Sequence, residues 1–339
     1  MNKTDFSTFI PKKTLHSRIH LLRSFAETGA KCFVKREDEL GFGVSGTKVR
    51  KYLSFLPAFL QERPAEAVII GSAHSNHVLS LSQLLKENGV EPILFLLGDK
   101  DCKLQGNLLY SALVVGLRNI HWIPRGKWSE IDKIASDFAE QRAQANIKTR
   151  VVPKGANCAA ALPGAMTLAL DILRNEEENQ IEFDHLMIDS GTGLTACALL
   201  LAFAFLGKKT LLHIVQVAGD KKEFDKTLEE RRLDFESLLH TSLPSPSHFQ
   251  LYTPSIAPAF GSVNAAVFHN IAELAYKEGF LTDPVFTAKL FCEGRRIIAE
   301  QKLTGNILFI HSGGGLGLTG FQEEIAKLVS IDRESINNF

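Results

Sequence analysis

The sequence predicts an α/β protein of open, twisted, mainly parallel sheets covered by helices on both faces. Short apolar runs alternate with longer segments of helical periodicity for almost the whole length. Three of those runs end directly in small polar and glycine-rich loops, as strand ends do where an open sheet carries a ligand crevice. A chain of 339 residues, 45% hydrophobic and 22% charged, has room for one large or two closely joined domains of this class.

Strands are expected at 32–34, 67–70, 93–97, 120–123, 149–152, 186–189, 211–217 and 307–311, all rich in β-branched or large apolar residues. Helices are expected at 78–86, 104–117, 128–145, 165–173, 195–206 and 265–277. Another should follow Lys48, because Val49, Leu53, Leu56 and Leu60 recur at helical spacing. The polar stretch 175–180 and the proline- and serine-rich run 241–248 read as surface loops.

The loops after three strands carry the chemistry. They are Gly71-Ser72-Ala73-His74-Ser75-Asn76-His77, Ser190-Gly191-Thr192-Gly193-Leu194-Thr195 and Ser312-Gly313-Gly314-Gly315-Leu316-Gly317. Glycine lets a ligand approach the backbone, and a helix start offers free N–H groups to an anion. Ser75 and Asn76 alone could be a plain helix cap. His74 and His77 lack the spacing of a helical zinc site, so no metal is expected.

Lys48 follows the small residues Ser45-Gly46-Thr47 and falls in the first turn of its helix, where the helix dipole gives a cation no benefit. Lys51 lies one turn on, on the same side. As ordinary surface lysines they would need no explanation; in a ligand crevice they suit an anion or a covalent role. The phosphate-binding P-loop does not fit, since Thr47 separates Gly46 from the lysine. Gly191-Thr192-Gly193-Leu194-Thr195-Ala196 also fits the dinucleotide fingerprint, but the acidic residue it needs, Asp220, comes late and behind a glycine. The repeat of that pattern from Gly315 has too little chain after it for a βαβ unit.

Composition excludes other classes. Lys+Arg 38 balances Asp+Glu 38 with no long block of one sign, which argues against nucleic acid and anionic membranes. No apolar run is long enough to span a bilayer, and segment 1–6 has no apolar run behind it that would make a secretory leader. Five scattered cysteines without a Cys-x-x-Cys suit free thiols in a reducing cytoplasm.

Taken in order, Lys35-Arg36-Glu37-Asp38, Gly46-Thr47-Lys48-Val49-Arg50-Lys51, Ser75-Asn76-His77 and Gly106-Asn107-Leu108-Leu109 resemble the pyridoxal-phosphate enzymes of the tryptophan-synthase-β fold. So do Pro153-Lys154-Gly155-Ala156-Asn157, the loop at 191–195, Leu281-Thr282-Asp283-Pro284-Val285-Phe286 and His311-Ser312-Gly313-Gly314. Within that fold the set is most similar to the 1-aminocyclopropane-1-carboxylate deaminase and D-cysteine desulfhydrase group. The resemblance implies two parallel-sheet domains, one of residues 1–50 and 162–339 and a smaller inserted one of 51–161, with pyridoxal 5'-phosphate between them.

It further implies that Lys48 carries the cofactor as a Schiff base, and that Lys51 with the backbone of Gly191, Thr192, Gly193, Leu194 and Thr195 holds its phosphate. Asn76 would bond the cofactor's ring hydroxyl. Ser75, Asn76 and His77 would receive the carboxylate of a small amino-acid substrate, with Ser75 assisting proton transfer. A homodimer is implied as well.

The departures bear on the substrate. Phe260 and Phe286 stand where the group places two tyrosines near the substrate. Thr287 stands where the ring-opening enzymes place a glutamate beside the pyridine nitrogen, and Ser312 where they place a leucine. Leu79 replaces a residue that is often polar. Thr287 and Ser312 resemble the desulfhydrases, so the expected reaction is α,β-elimination from D-cysteine or a related β-substituted amino acid. The alternatives are 1-aminocyclopropane-1-carboxylate deamination, a pyridoxal-phosphate-binding protein with little activity and, more distantly, a dinucleotide-dependent oxidoreductase.

Overall fold

The computed structural model describes residues 9–12 and 15–336; the segment 1–6 read above for a leader lies outside them. Two sheets form the frame. The larger contains β1 (Ile19–Leu21), β2 (Lys31–Lys35), β7 (His185–Ser190), β8 (Leu211–Gln216), β9 (Phe249–Tyr252) and β10 (Asn306–Ile310), in the order β1-β2-β10-β7-β8-β9. The smaller contains β3 (Glu66–Ser72), β4 (Glu91–Leu97), β5 (Ile120–Ile123) and β6 (Thr149–Val152), in the order β5-β4-β3-β6. Every pairing is parallel except that of β1 with β2.

The helices are α1 (Lys48–Gln61), α2 (Asn76–Glu87), α3 (Gly106–Val115), α4 (Ile131–Gln144), α5 (Leu162–Asn179), α6 (Leu194–Phe205), α7 (Lys221–Leu239), α8 (Ala265–Glu278), α9 (Thr287–Gln301) and α10 (Gln322–Ile336). The apolar α6 is buried along most of its length, and one continuous core joins both sheets through Ile69, Leu81, Met166, Leu186, Leu199 and Ile310. Among the described residues no helix is long and apolar enough to cross a membrane.

Each expected strand is present within a few residues of its expected limits. The edge strands β1 and β9, of 3 and 4 residues, were not anticipated, being too short to display a period. The stretch 175–180 is not a surface loop. It forms the last turn of α5 and its cap, with Asn175 and Glu176 buried. Tertiary partners override its weak helical preference: Asn175 accepts from the Lys35 ammonium, while Glu176 accepts from Phe183 N at 2.9 Å and pairs with Lys208 at 2.9 Å.

Behind α1 lies a buried cluster of two cations and two anions. The Arg50 guanidinium donates to both oxygens of Glu37, each at 2.6 Å, and to Asp171 at 2.6 Å. Lys35 donates to Asp171 and Asn175, and Ser17 donates its hydroxyl to Glu37 at 2.6 Å. These links tie α1 to the end of β2, to α5 and to the segment before β1. The charges cancel, and despite burial the cations hold both carboxyls below the usual carboxylate range.

Removing one member leaves a buried charge uncompensated. Arg50→Met should therefore cost about 3–5 kcal/mol in urea denaturation, and adding Glu37→Leu should recover a substantial part of that loss.

Candidate active site

A cavity of about 440 Å³ opens where α1, α2 and α6 begin. None of these helices has an acidic residue in its first turn. Three sets of first-turn N–H groups and three positive helix ends thus meet around one space, an arrangement that draws anions. The carboxyl ends of β3, β7 and β10 supply the loops that complete it.

Lys48 is the first residue of α1 and lines this cavity, half-buried. Its position is fixed from behind by the loop after β10. Thr47 N donates to the Ser312 carbonyl at 3.1 Å, and Gly46, at φ +53°, comes so close to that carbonyl that a side chain there would collide with it. The Lys48 ammonium lies 5.9 Å from the Phe286 ring centroid. Burial lowers its pKa, and Asp189 and then Asp283 partly offset the effect.

Lys51 also lines the cavity and donates to the Gly155 carbonyl. Burial first, and the Lys48 charge second, bring its pKa down to about 7.

The start of α2 forms a second wall. Ser75 caps it, its hydroxyl accepting from Val78 N at 3.3 Å. Asn76 accepts at 2.6 Å from the Asn107 amide, which fixes how the Asn76 side chain is turned. His77 Nδ1 lies 2.8 Å from the Tyr52 hydroxyl, while its Nε2 is buried without a partner. Burial, then Lys51 and Lys48, holds its pKa well below the ordinary value, so the ring is neutral.

The third wall is the loop from β7 into α6. Gly193, at φ +88°, turns the chain into the helix without any side-chain cap. The first backbone bond of α6 runs from Cys197 N to Gly193 O at 2.9 Å, so the N–H groups of Leu194, Thr195 and Ala196 stand ahead of the helical ladder. Asn157 steadies the loop by donating to the Thr192 carbonyl at 2.7 Å, and Arg231 holds Asn157 in turn at 2.8 Å. Asp220, the acidic residue weighed for a dinucleotide, is spent capping α7 through Glu223 N at 2.8 Å.

The structure brings Lys48, Lys51, Ser75, Asn76, His77, the loop Gly191-Thr192-Gly193-Leu194-Thr195, Phe260, Phe286 and Ser312 to this one cavity. Phe260 and Phe286 pack edge to face with centroids 6.1 Å apart. Thr287 follows the lining residue Phe286 and is fully buried, with its hydroxyl donating to Asp283 Oδ1 at 2.8 Å and accepting from Asp283 N at 2.7 Å. Asp283 also takes the N–H groups of Val285, Phe286 and Thr287, so the pair closes off the start of α9.

One lining residue went unnoticed in the sequence. Asp189 is the penultimate residue of β7, and its Oδ1 is buried without a partner. Burial raises its pKa to about 6 against the opposing pull of Ser312 and Lys48. A strand-end acid before a glycine loop was the available signal.

An open α/β crevice with paired lysines at a helix start, an anion cradle and orphaned polar atoms defines a cofactor-dependent enzyme of the phosphate-binding kind. The family profile described as pyridoxal-phosphate dependent enzyme matches residues 15–313, and the chain belongs to that family. A Pyrococcus horikoshii protein bearing the provisional name of a 1-aminocyclopropane-1-carboxylate deaminase is 27% identical, over 89% of this chain and 90% of its own length. The D-cysteine desulfhydrase of Serratia proteamaculans is 25% identical, over 88% of this chain and 90% of its own. A solved structure described as an ACC deaminase homologue shares the fold at a TM-score of 0.82 and 24% identity, covering 97% of this chain and all of that one.

The cofactor is pyridoxal 5'-phosphate, and the residues present suit it. Free N–H groups and Lys51 fit a phosphate, and Lys48 offers an amine of lowered pKa to a carbonyl.

Because Lys51 loses its proton near pH 7, the affinity of the cofactor-free protein for inorganic sulfate should fall as pH rises. Isothermal titration should show about tenfold weaker binding at about pH 8 than at about pH 6. Lys51→Met should bind weakly at both.

Proposed function

We propose that this enzyme is a lyase that removes hydrogen sulfide from D-cysteine, or the corresponding leaving group from a related β-substituted amino acid. Water enters, and pyruvate and ammonia leave with the thiol. The observation that carries this reading is one cavity lined together by Lys48, the start of α2 and the two phenyl rings, with the Lys48 ammonium 5.9 Å from the Phe286 centroid.

Lys48 would hold the cofactor, and Lys51 with the start of α6 its phosphate. The free N–H groups of Asn76 and His77, the Ser75 hydroxyl and the unpartnered His77 Nε2 would receive the substrate carboxylate. Once bound, the cofactor supplies an electron sink for the charge left at the α-carbon. Lys48, kept from its ordinary basicity by burial, would take the α-proton.

Thiolate leaves without needing an acid from the protein. Opening a cyclopropane places a proton on carbon, and Phe260 and Phe286 have no hydroxyl to give one. Thr287, expected beside the cofactor's ring nitrogen, would not hold that nitrogen protonated as a carboxylate does, and the weaker electron sink would also favour elimination. The relative named D-cysteine desulfhydrase supports the elimination; the relative named for 1-aminocyclopropane-1-carboxylate supports deamination as the second reading.

We also place the protein in the cytoplasm as a homodimer, the first supported by five free cysteines and the second by resemblance alone. The division into 51–161 and 1–50 with 162–339 is supported by the sheets, since β3 to β6 build one and all other strands the second.

Borohydride reduction of the loaded protein, followed by peptide mapping, should place the pyridoxyl group on Lys48; a label on Lys51 or Lys289 contradicts the assignment. Steady-state assays should show D-cysteine turned over at least about tenfold faster than 1-aminocyclopropane-1-carboxylate, a gap of about 1.4 kcal/mol in barrier. Lys48→Ala should abolish both. Faster ammonia release from the cyclopropane would make the protein a deaminase, and turnover of neither would make it a binding protein.

A further inference from the structure

The segment that joins β9 to α8, residues 253–264, contains no strand or helix, yet it carries Phe260, one of the two rings on the cavity wall. Packing does not explain how that ring is kept in place. Phe260 is 49% exposed, and Pro258 and Ala259 just ahead of it are exposed as well. Ala257 lies in the left-handed region at φ +46°, a conformation that an alanine keeps only where its surroundings impose it.

The surroundings that impose it belong to α9. Lys289 is fully buried, and its Nζ donates to the Ala257 carbonyl at 2.7 Å and to the Ala259 carbonyl at 3.3 Å. One turn on, the equally buried Glu293 accepts from the Ser255 backbone N–H, and from the Ser255 hydroxyl at 2.5 Å. Arg296 donates to the second oxygen of Glu293 at 2.8 Å. Among the described residues no carboxylate lies within ion-pair distance of Lys289; Asp283 acts on it from further off. A buried ammonium whose hydrogen bonds go to neutral carbonyls is costly, so stability alone does not account for a lysine here.

The Ala259 carbonyl belongs to the peptide bond that leads into Phe260, so this grip fixes where the residue leaves the loop. Phe286 immediately precedes α9. One helix therefore carries the first ring and holds the backbone of the second, which sets the 6.1 Å between them. We propose that Lys289, aided by Glu293, is a positioning residue that holds Phe260 against Phe286 as the apolar wall of the substrate site. Without it the loop would loosen and the wall would open on one side, weakening substrate binding more than the proton transfer at Lys48.

The proposal rests on reading the two rings as that wall, so its test begins with a measurement that needs no turnover. In the cofactor-loaded protein, Phe260 is replaced by 4-fluorophenylalanine, and the displacement of its fluorine NMR signal that Phe286→Leu removes measures the ring contact. Lys289→Met and Glu293→Leu should lose that displacement while keeping the absorbance of lysine-bound cofactor. With D-cysteine, Lys289→Met should raise KM at least about threefold and lower kcat by less. In a Phe260→Ala background, the same substitution should leave KM unchanged, because its effect passes through that ring. An unmoved fluorine signal in whichever variant keeps the cofactor absorbance overturns the proposal, as does an equal rise in KM with and without Phe260. Loss of the displacement in an enzyme that does not turn over D-cysteine supports the positioning role and overturns the proposed reaction alone.

Discussion

The structure depends on the buried ionic cluster of Lys35, Glu37, Arg50 and Asp171. Arg50 is two residues beyond Lys48, so whatever fixes its guanidinium fixes the first turn of α1. Glu37 and Asp171 grip it from the end of β2 and from α5, which also packs along α1. A cluster of this kind adds little net stability over an apolar core of equal volume. Its effect is directional: charges that must all be satisfied admit few other ways to dock this helix. A reactive amine has to be placed within a fraction of an ångström, and that is where such rigidity matters.

The site follows a single electrostatic theme. Three helix starts and two lysines converge, and burial compels some of the cations to give up charge: Lys51 falls to about pH 7 and His77 far below its ordinary value. The free protein is thus an incomplete electrostatic assembly. Anions supplied by the cofactor's phosphate and the substrate's carboxylate restore the balance, which is a physical reason for the cavity to bind both tightly and in a fixed order along its walls.

Much of this was legible in the sequence because it depends on local patterns. β3, β7 and β10 are largely apolar runs that lead into loops rich in glycine and small polar residues, and those loops line the cavity. Features set by distant partners were hidden. The turn of α5 around Asn175 looks like a polar loop until Lys35 is seen to need its amide. Arg50 reads as one more basic residue in a basic run, because its two carboxylate partners lie 13 and 121 residues away. The pairing of Thr287 with Asp283, four positions earlier, was hidden too, because a threonine at a helix start does not announce which acid caps the turn. Asp189 carries no sequence mark of burial at all.

Two features of the site bear on which reaction it would favour. With Thr287 as the ring nitrogen's partner, a weak electron sink would separate easy eliminations from difficult ring openings. Proton supply at the substrate's far carbon would act in the same direction, since Phe260 and Phe286 present edges and faces but no hydroxyl. An elimination asks only that Lys48 take one proton and that the leaving group depart with its electrons. A ring opening asks, in addition, for an acid that this wall lacks, so the two phenyl rings would reinforce the preference set by the cofactor's electronics.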